Sequence, residues 1–327
     1  MSQDTERNVL VTGATGLAGS STIKGLLREF HDISVTAIHN RDDGFFIEDP
    51  RVKYKQGDLR VIDDCRRVAR GCNQAVLAAA ITGGAMASVS KPWEQVTDNV
   101  VMDCNILAAL HEQKVGRIIY ISTSSVYQPH TGRISEDDLD LNIDPHNAHM
   151  GVGWAKRYIE KQCEFWFREF GTQFGIIRSS NLYGPYAKFH PQRSNFVVAL
   201  IRKAVERNDP YEVWGSVDVT RDILFADDLG SAVAKFIGLD NLEYETLNVG
   251  SGSSVSVGDV VNFALQAASH KPSKILYRGN APTTAQTREL DCSRAQKVLG
   301  WQALISPAEG IQLTSDWWQE NKDRWQR

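Results

Sequence analysis

The sequence predicts an α/β protein: a doubly wound parallel sheet with a smaller C-terminal lobe. Three observations predict it. The first is the stretch Asn8-Val9-Leu10-Val11-Thr12-Gly13-Ala14-Thr15-Gly16-Leu17-Ala18-Gly19-Ser20, where a short apolar run meets three glycines and then a helical pattern. The second is the alternation of β-rich runs with amphipathic segments over the first half of the chain, the pattern of crossover units in a parallel sheet. The third is composition: 327 residues, 42% hydrophobic and 23% charged, suffice for one large α/β unit or two closely joined lobes.

Taken in order, the apolar run before Thr12 reads as the first strand, and Gly13, Gly16 and Gly19 follow as G-x-x-G-x-x-G. Such spacing lets the backbone turn sharply, approach a pyrophosphate and aim the next helix N-terminus at its charge, with Thr15 and Leu17 inside the same turn. A dinucleotide on a Rossmann-type sheet is the natural ligand. Leu17 to Phe30 has apolar residues at helical spacing, and Ile33 to Ile38 is a second strand. After it stands His39-Asn40-Arg41. A carboxylate there would bind the ribose hydroxyls of NAD, whereas Arg41, with Asn40 beside it, offers a partner for a 2′-phosphate and favours NADP over NAD. The alternative for Arg41 is a solvated surface charge. Val52 to Gln56 is a third strand that runs into Gly57-Asp58-Leu59, and Asp64 to Arg70 a helix. Gln74 to Ile81 is an alanine-rich strand leading into Thr82-Gly83-Gly84, where small residues let a cofactor lie against the backbone. Asp98 to Gln113 is a long helix and Arg117 to Ser122 another buried strand.

Net charge is -4 and no basic run is present, so nothing points to a nucleic-acid or anionic-membrane surface. The five cysteines, at 65, 72, 104, 163 and 292, have neither C-x-x-C spacing nor clustered partners, which argues against a structural metal or a disulfide framework and for reduced, cytoplasmic thiols. Met1 to Arg7 is polar, and no apolar run approaches the roughly 18 residues of a membrane span, so neither a signal peptide nor an anchor is expected.

The chain resembles the extended short-chain dehydrogenase/reductases, in the NAD-dependent epimerase/dehydratase family that acts on nucleotide sugars. The carriers are Thr12 to Gly19, Gly57-Asp58-Leu59, Ala78-Ala79-Ala80, Ile121-Ser122-Thr123-Ser124-Ser125-Val126-Tyr127, Asn181-Leu182-Tyr183-Gly184-Pro185 and Arg221-Asp222, and they run nearly end to end. The resemblance implies that Asp58, with Leu59 beside it, contacts the adenine, that Ala78, Ala79 and Ala80 line the pyrophosphate side, and that Lys156 holds the nicotinamide ribose. Within the family the look is nearest to the GDP-fucose synthase-like enzymes, through Ala80-Ile81-Thr82-Gly83-Gly84, Asn181 to Pro191, Val213-Trp214-Gly215-Ser216 and the Trp-rich C-terminal helix. That branch implies a GDP-linked sugar, with Asn181, Lys203, Arg221 and Arg288 near the diphosphate and Trp214 near the nucleotide or sugar. A pyrophosphate bound away from the first helix needs fixed cationic forks, which arginine supplies. Lys203, on the helix Ser194 to Asn208, is equally readable as a surface charge.

Family chemistry sits where Thr123 and Lys156 meet the nicotinamide, with a tyrosine four residues before the lysine to carry the proton. This sequence departs from that pattern, because Val152 stands there in Gly151-Val152-Gly153-Trp154-Ala155-Lys156. The interval from Lys156 to Asn181 matches the family's and resists a shifted alignment. Three readings follow: an enzyme whose proton is carried by Thr123, Lys156, a bound water or a loop histidine such as His149; a cofactor- and nucleotide-sugar-binding protein with little or no redox activity; or an ordinary enzyme inactivated at Val152. The first is preferred, because the rest of the site is retained and hydride transfer needs correct positioning plus a weak base.

Comparison with the family narrows the reaction. The 4,6-dehydratases carry an Asp and a Glu after the Thr123 position, where this chain has Ser124 and Ser125. The cysteine and histidine that epimerise C3 and C5 in the GDP-fucose synthase branch correspond to Ser125 and Asn195. What survives is redox at one sugar carbon, C4, as a dehydrogenase, a keto reductase or an epimerase. The resemblance divides the chain into a cofactor domain, 1–179 with 215–247 returning to it, and a nucleotide-sugar lobe, 180–214 and 248–327. Gly250-Ser251-Gly252-Ser253-Ser254 marks a turn before the helix Val257 to Ala268, and Asp98 to Gln113 with Trp154 to Phe170 resembles the pair that dimerises as a four-helix bundle.

Overall fold

Val9, Leu10 and Val11 are fully buried, and strand β1 (Arg7–Val11) that carries them is hydrogen-bonded on both sides. A strand covered on both faces reads as a continuous apolar run, as this one does. The computed structural model describes residues 7–41, 45–83, 92–279 and 289–325. Around β1 stand β2 (Ile33–His39), β3 (Val52–Gln56), β4 (Gln74–Leu77), β5 (Arg117–Thr123), β6 (Gln173–Ser179) and β7 (Tyr244–Val249) in the order 3-2-1-4-5-6-7, every pairing parallel. Strand order reverses between β1 and β4, which opens a crevice at the carboxyl ends of those strands.

The pleat sorts side chains between two helical layers. Val9, Val11, Ile119, Ile121 and Ile177 share a core with α1 (Leu17–Glu29) and with Leu229, Val233 and Phe236 of a later helix, Ala226–Gly238. Leu10, Ala75, Leu77, Ile118, Tyr120 and Ile176 face α2 (Ile62–Ala69), α3 (Thr97–Glu112) and α4 (Met150–Phe170). Helix α4 starts earlier than its apolar pattern indicates, so Val152 is already helical; it ends at Gly171, whose left-handed conformation (φ 70°) caps it through an N–H donated to the Phe167 carbonyl at 2.9 Å. The strand expected over Gln74 to Ile81 stops at Leu77, because the Thr12 hydroxyl accepts the N–H groups of Ala78 and Ala79 at 3.0 Å each and draws the chain out of the ladder.

A further core lies over the carboxyl edge of the sheet. It joins Tyr183, Phe189, Tyr211 and Phe225 to α5 (Phe196–Val205), α7 (Val257–Ala267) and α9 (Pro307–Asn321), with α6 (Ala226–Gly238) and α8 (Ser293–Leu299) lying against the sheet core. Trp318 stacks on Phe189 with ring centroids 4.1 Å apart. The Phe45 ring lies 5.2 Å from that of Trp317 and 5.7 Å from that of Trp325, centre to centre, so the C-terminal segment packs against Phe45. Among the described residues no helix is long and apolar enough to cross a membrane, and all five cysteines are free.

Candidate active site

The glycine turn is built for close approach. Gly13 has φ +63°, and a Cβ there would stand 2.8 Å from the Ala79 Cα; a Cβ on Gly19 would overlap the Gly13 carbonyl oxygen. Only glycine fits both places. Helix α1 begins at Gly16 with no side-chain cap and no acidic residue in its first turn, which leaves its N-terminal N–H groups and dipole to an anion. Thr15 is buried, and Leu17 is partly buried against the C-terminal core. This cradle fits a dinucleotide pyrophosphate, and the partly buried Ala78, Ala79 and Ala80 form its opposite wall.

At the end of β2, His39 is buried and its Nδ1 meets the Arg41 carbonyl at 3.0 Å, while Asn40 and Arg41 are exposed. The Asp58 carboxylate is already engaged: Arg60 donates to it at 2.7 to 3.2 Å, and that guanidinium holds Asp58 below the ordinary carboxylate range. Leu59 is buried, and its carbonyl accepts from Asn105 at 3.2 Å.

Thr123 ends β5, and its hydroxyl accepts the Ser125 N–H at 3.2 Å, which starts the turn that buries Ser124. Lys156, one turn after Val152 on α4, is 8% exposed. Its ammonium donates to Tyr120 Oη at 2.8 Å and to the Ile121 carbonyl at 3.2 Å, and Asp103 Oδ2 lies 3.7 Å away. Tyr120 in turn donates to Asp103 at 2.8 Å. Burial pushes both the Asp103 carboxyl and the Tyr120 phenol upward. Val152 and Lys156 line one cavity of about 10 Å³ between α3 and α4, with Gln95, Asn99 and Asp103 on its other side. That is room for about one water.

Three residues here escape a reading by motif, Asn99, Asp103 and Tyr120, and so does the bond from the motif's Thr12 to Ala78 and Ala79. Asn99 accepts the Ile81 N–H at 2.7 Å and donates to the Ile81 and Gln95 carbonyls, which ties the loop after β4 to α3. Their signal is polarity where the pattern demands apolar side chains, as with Tyr120 inside Ile118-Ile119-Tyr120-Ile121.

On the C-terminal side, Asn181 donates to the Asp222 carbonyl at 2.9 Å. Asn195 is the N-cap of α5, accepting from Val198 at 3.1 Å and donating to the Leu182 carbonyl at 2.7 Å. Lys203 donates to the Glu212 carbonyl at 2.8 Å and lies 5.9 Å from the centre of the Trp214 ring; burial lowers its pKa. Trp214 is 53% exposed, offering an open aromatic face. Arg221 donates to the Thr220 carbonyl at 2.8 Å, on a strand paired with Val255–Ser256. Arg288 and Gly84 lie outside the described residues. Lys188 reaches the carbonyl and hydroxyl oxygens of Thr82 at 3.1 Å each, so the loop after β4 is tied to the segment that follows Asn181.

Comparison with known proteins gives a consistent picture. Residues 9–250 match the model of the NAD dependent epimerase/dehydratase family. The chain is 27% identical to the GDP-L-fucose synthase of Escherichia coli (strain K12) over 98% of both chains. It is 25% identical to the UDP-glucuronate 4-epimerase of Thermodesulfobacterium geofontis, over 95% of this chain and 96% of that one. In fold it matches the UDP-glucose 4-epimerase of Thermotoga maritima with a TM-score of 0.84 at 20% identity, over 96% of this chain and 99% of that one.

Proposed function

The chain belongs to the NAD dependent epimerase/dehydratase family, and on that footing we propose that it moves hydride at C4 of a GDP-linked sugar, as a 4-dehydrogenase, a 4-keto reductase or a 4-epimerase. The observation that carries the proposal is the retention of Lys156, buried beside the end of β5, where Thr123 stands. End-to-end similarity to a GDP-L-fucose synthase supports the GDP linkage, and the similarity to UDP-sugar enzymes makes UDP-sugars the comparison to run. Serines at 124 and 125 and the capping role of Asn195 support simple redox over elimination or double epimerisation.

When bound, a nicotinamide dinucleotide supplies the hydride donor or acceptor. Gly13, Thr15, Gly16, Leu17 and Gly19 would hold its pyrophosphate, Asn40 and Arg41 a 2′-phosphate, and Ala78, Ala79 and Ala80 the opposite wall. The exposed guanidinium of Arg41 supports NADP as the preferred form. Asn181, Lys203, Trp214, Arg221 and Arg288 form the proposed nucleotide-sugar side, and the domain division 1–179 with 215–247 against 180–214 with 248–327 goes with it. Exposed Val101 of α3 and Trp154, Tyr158 and Phe165 of α4 support a homodimer through a four-helix bundle. A cytoplasmic location completes the reading.

Val152 favours a second reading, a cofactor- and nucleotide-sugar-binding protein with little or no redox activity. Single-turnover hydride transfer with GDP- and UDP-sugars, run on the parent, Thr123→Val and Val152→Tyr, separates the two. The proposal expects transfer by the parent and a loss in Thr123→Val; no transfer by any of the three with any sugar overturns it in favour of the binding protein.

A further inference from the structure

We propose that Asp103, acting through Tyr120, is a proton store for Lys156, and that Lys156 is the base of this site in place of the phenol that Val152 replaces. The proposal rests on the redox reading above. Its geometry is a chain of three groups: Lys156 Nζ donates to Tyr120 Oη at 2.8 Å, and Tyr120 donates to Asp103 Oδ2 at 2.8 Å. A hydroxyl both accepts and donates, so one proton can pass from the lysine into the tyrosine while another passes from the tyrosine into the aspartate. The ammonium and carboxylate become an amine and a carboxylic acid, with no change in net buried charge. Asp103 is 4% exposed and Tyr120 fully buried, surroundings that penalise the charged pair and favour the neutral one.

The neighbouring pair shows what a purely structural arrangement looks like. Arg178 donates straight to Glu160 at 2.8 Å, with no hydroxyl between them, and a guanidinium does not give up its proton. Asp103 and Lys156 instead stand 3.7 Å apart, joined through a group that relays protons, and the cation is one that can become a base. Two of the three ammonium donors are used, on Tyr120 and the Ile121 carbonyl. Asp103 faces the ammonium at 3.7 Å, and Lys156 also lines the cavity beside Val152.

In the oxidising direction the C4 hydroxyl gives its proton to the Lys156 lone pair. Its C–H hydride goes to the oxidised nicotinamide that the proposed reaction requires, and C–O becomes C=O. One proton then leaves the triad to solvent and restores its neutrality. Asp103 and Tyr120 act through Lys156 and are positioning residues. Among the described residues the nearby titratable groups include two on α4: Cys163, whose thiol burial pushes well up, and Glu160, held by Arg178 and by the Ser122 hydroxyl at 2.5 Å.

The test uses the full chain. Heteronuclear NMR of lysine-labelled apoprotein, assigned with Lys156→Met, reads the Nζ protonation state directly. The expected result is a Lys156 signal between the ammonium and amine limits that stays put across neutral pH in the parent and titrates there in Asp103→Asn. Single-turnover oxidation should be flat with pH in the parent, acquire an acid limb in Asp103→Asn and regain flatness in part in Asp103→Glu. Tyr120→Phe should lose about 10² to 10⁴ in rate with cofactor Kd unchanged. A Lys156 signal that behaves identically in parent and Asp103→Asn overturns the proposal, as does a Tyr120→Phe rate within threefold of the parent. Should Tyr120→Phe not fold, the Asp103 variants decide. If the parent transfers no hydride, the redox reading falls on that result, Lys156 is no base, and the NMR comparison separately upholds or overturns the proton store.

Discussion

Gly25 of α1 and Gly230 of α6 meet backbone to backbone: a Cβ on Gly25 would overlap the Gly230 carbonyl, and a Cβ on Gly230 would overlap the carbonyl of Ser21. Helix α6 thereby holds α1, and with it the glycine turn, against the sheet. Neither backbone can yield without moving a whole helix. Gly230→Ala should cost roughly 1 to 3 kcal/mol of stability through overpacking. Urea unfolding measures it, and an unchanged midpoint would mean that the helices slide apart freely.

Thr12→Val removes the acceptor of two backbone N–H groups at almost constant volume. Losing two ordinary hydrogen bonds should cost about 1 to 3 kcal/mol. Because Ala78 and Ala79 then shift against Gly13, cofactor binding should weaken along with stability. Calorimetric titration beside a denaturant curve checks both, and a variant that loses only stability would place the Thr12 link away from the ligand.

Arg41→Ala should cut NADP affinity about tenfold, the equivalent of one exposed charge-assisted phosphate contact, and leave NAD unchanged. Titrating both cofactors into parent and variant tests the expectation. A parent that prefers NAD removes Arg41 from the cofactor site.

Arg221→Ala should weaken GDP binding by roughly 1.5 to 3 kcal/mol. Equal binding of GDP by parent and variant would make this arginine structural rather than part of the nucleotide site.

Tyr158 and Phe165 lie seven positions apart on α4 and are 50% and 52% exposed. Light scattering should find the parent dimeric, and Phe165→Asp should shift it to monomer. A monomeric parent would leave this stripe as solvent-exposed surface.

Much of the frame was legible because its signals are local. Gly13 and Gly19 announce a tight turn, and the strand Val52 to Gln56 has the bounds its pattern implies. The end of β4 was not legible: Ala78 to Ile81 continues the apolar run, and only a hydroxyl some 66 positions earlier stops it. Asn195 and Lys203 show another limit: the sequence offers their residue types for a substrate but does not show that Asn195 caps α5 and that Lys203 reaches the Glu212 carbonyl. Asp103 lies on the same helix face as Asn99, but its meaning comes from Tyr120 on a strand and Lys156 on another helix. No linear spacing encodes that meeting.

The packing of α1 on α6 has a cost in time. Arg28 and Asp227, joined at 3.5 Å across these helices, are 199 positions apart. At synthesis rates of roughly 5 to 20 residues per second, the apolar side of α1 waits about 10 to 40 s for its cover to emerge from the ribosome. During that interval Ile23 and Leu26, which are fully buried in the finished protein, are open to chaperones, proteases and neighbouring nascent chains. How long α1 goes without α6 is set by when residues 226 to 238 arrive, a quantity that the stability of the folded state does not report.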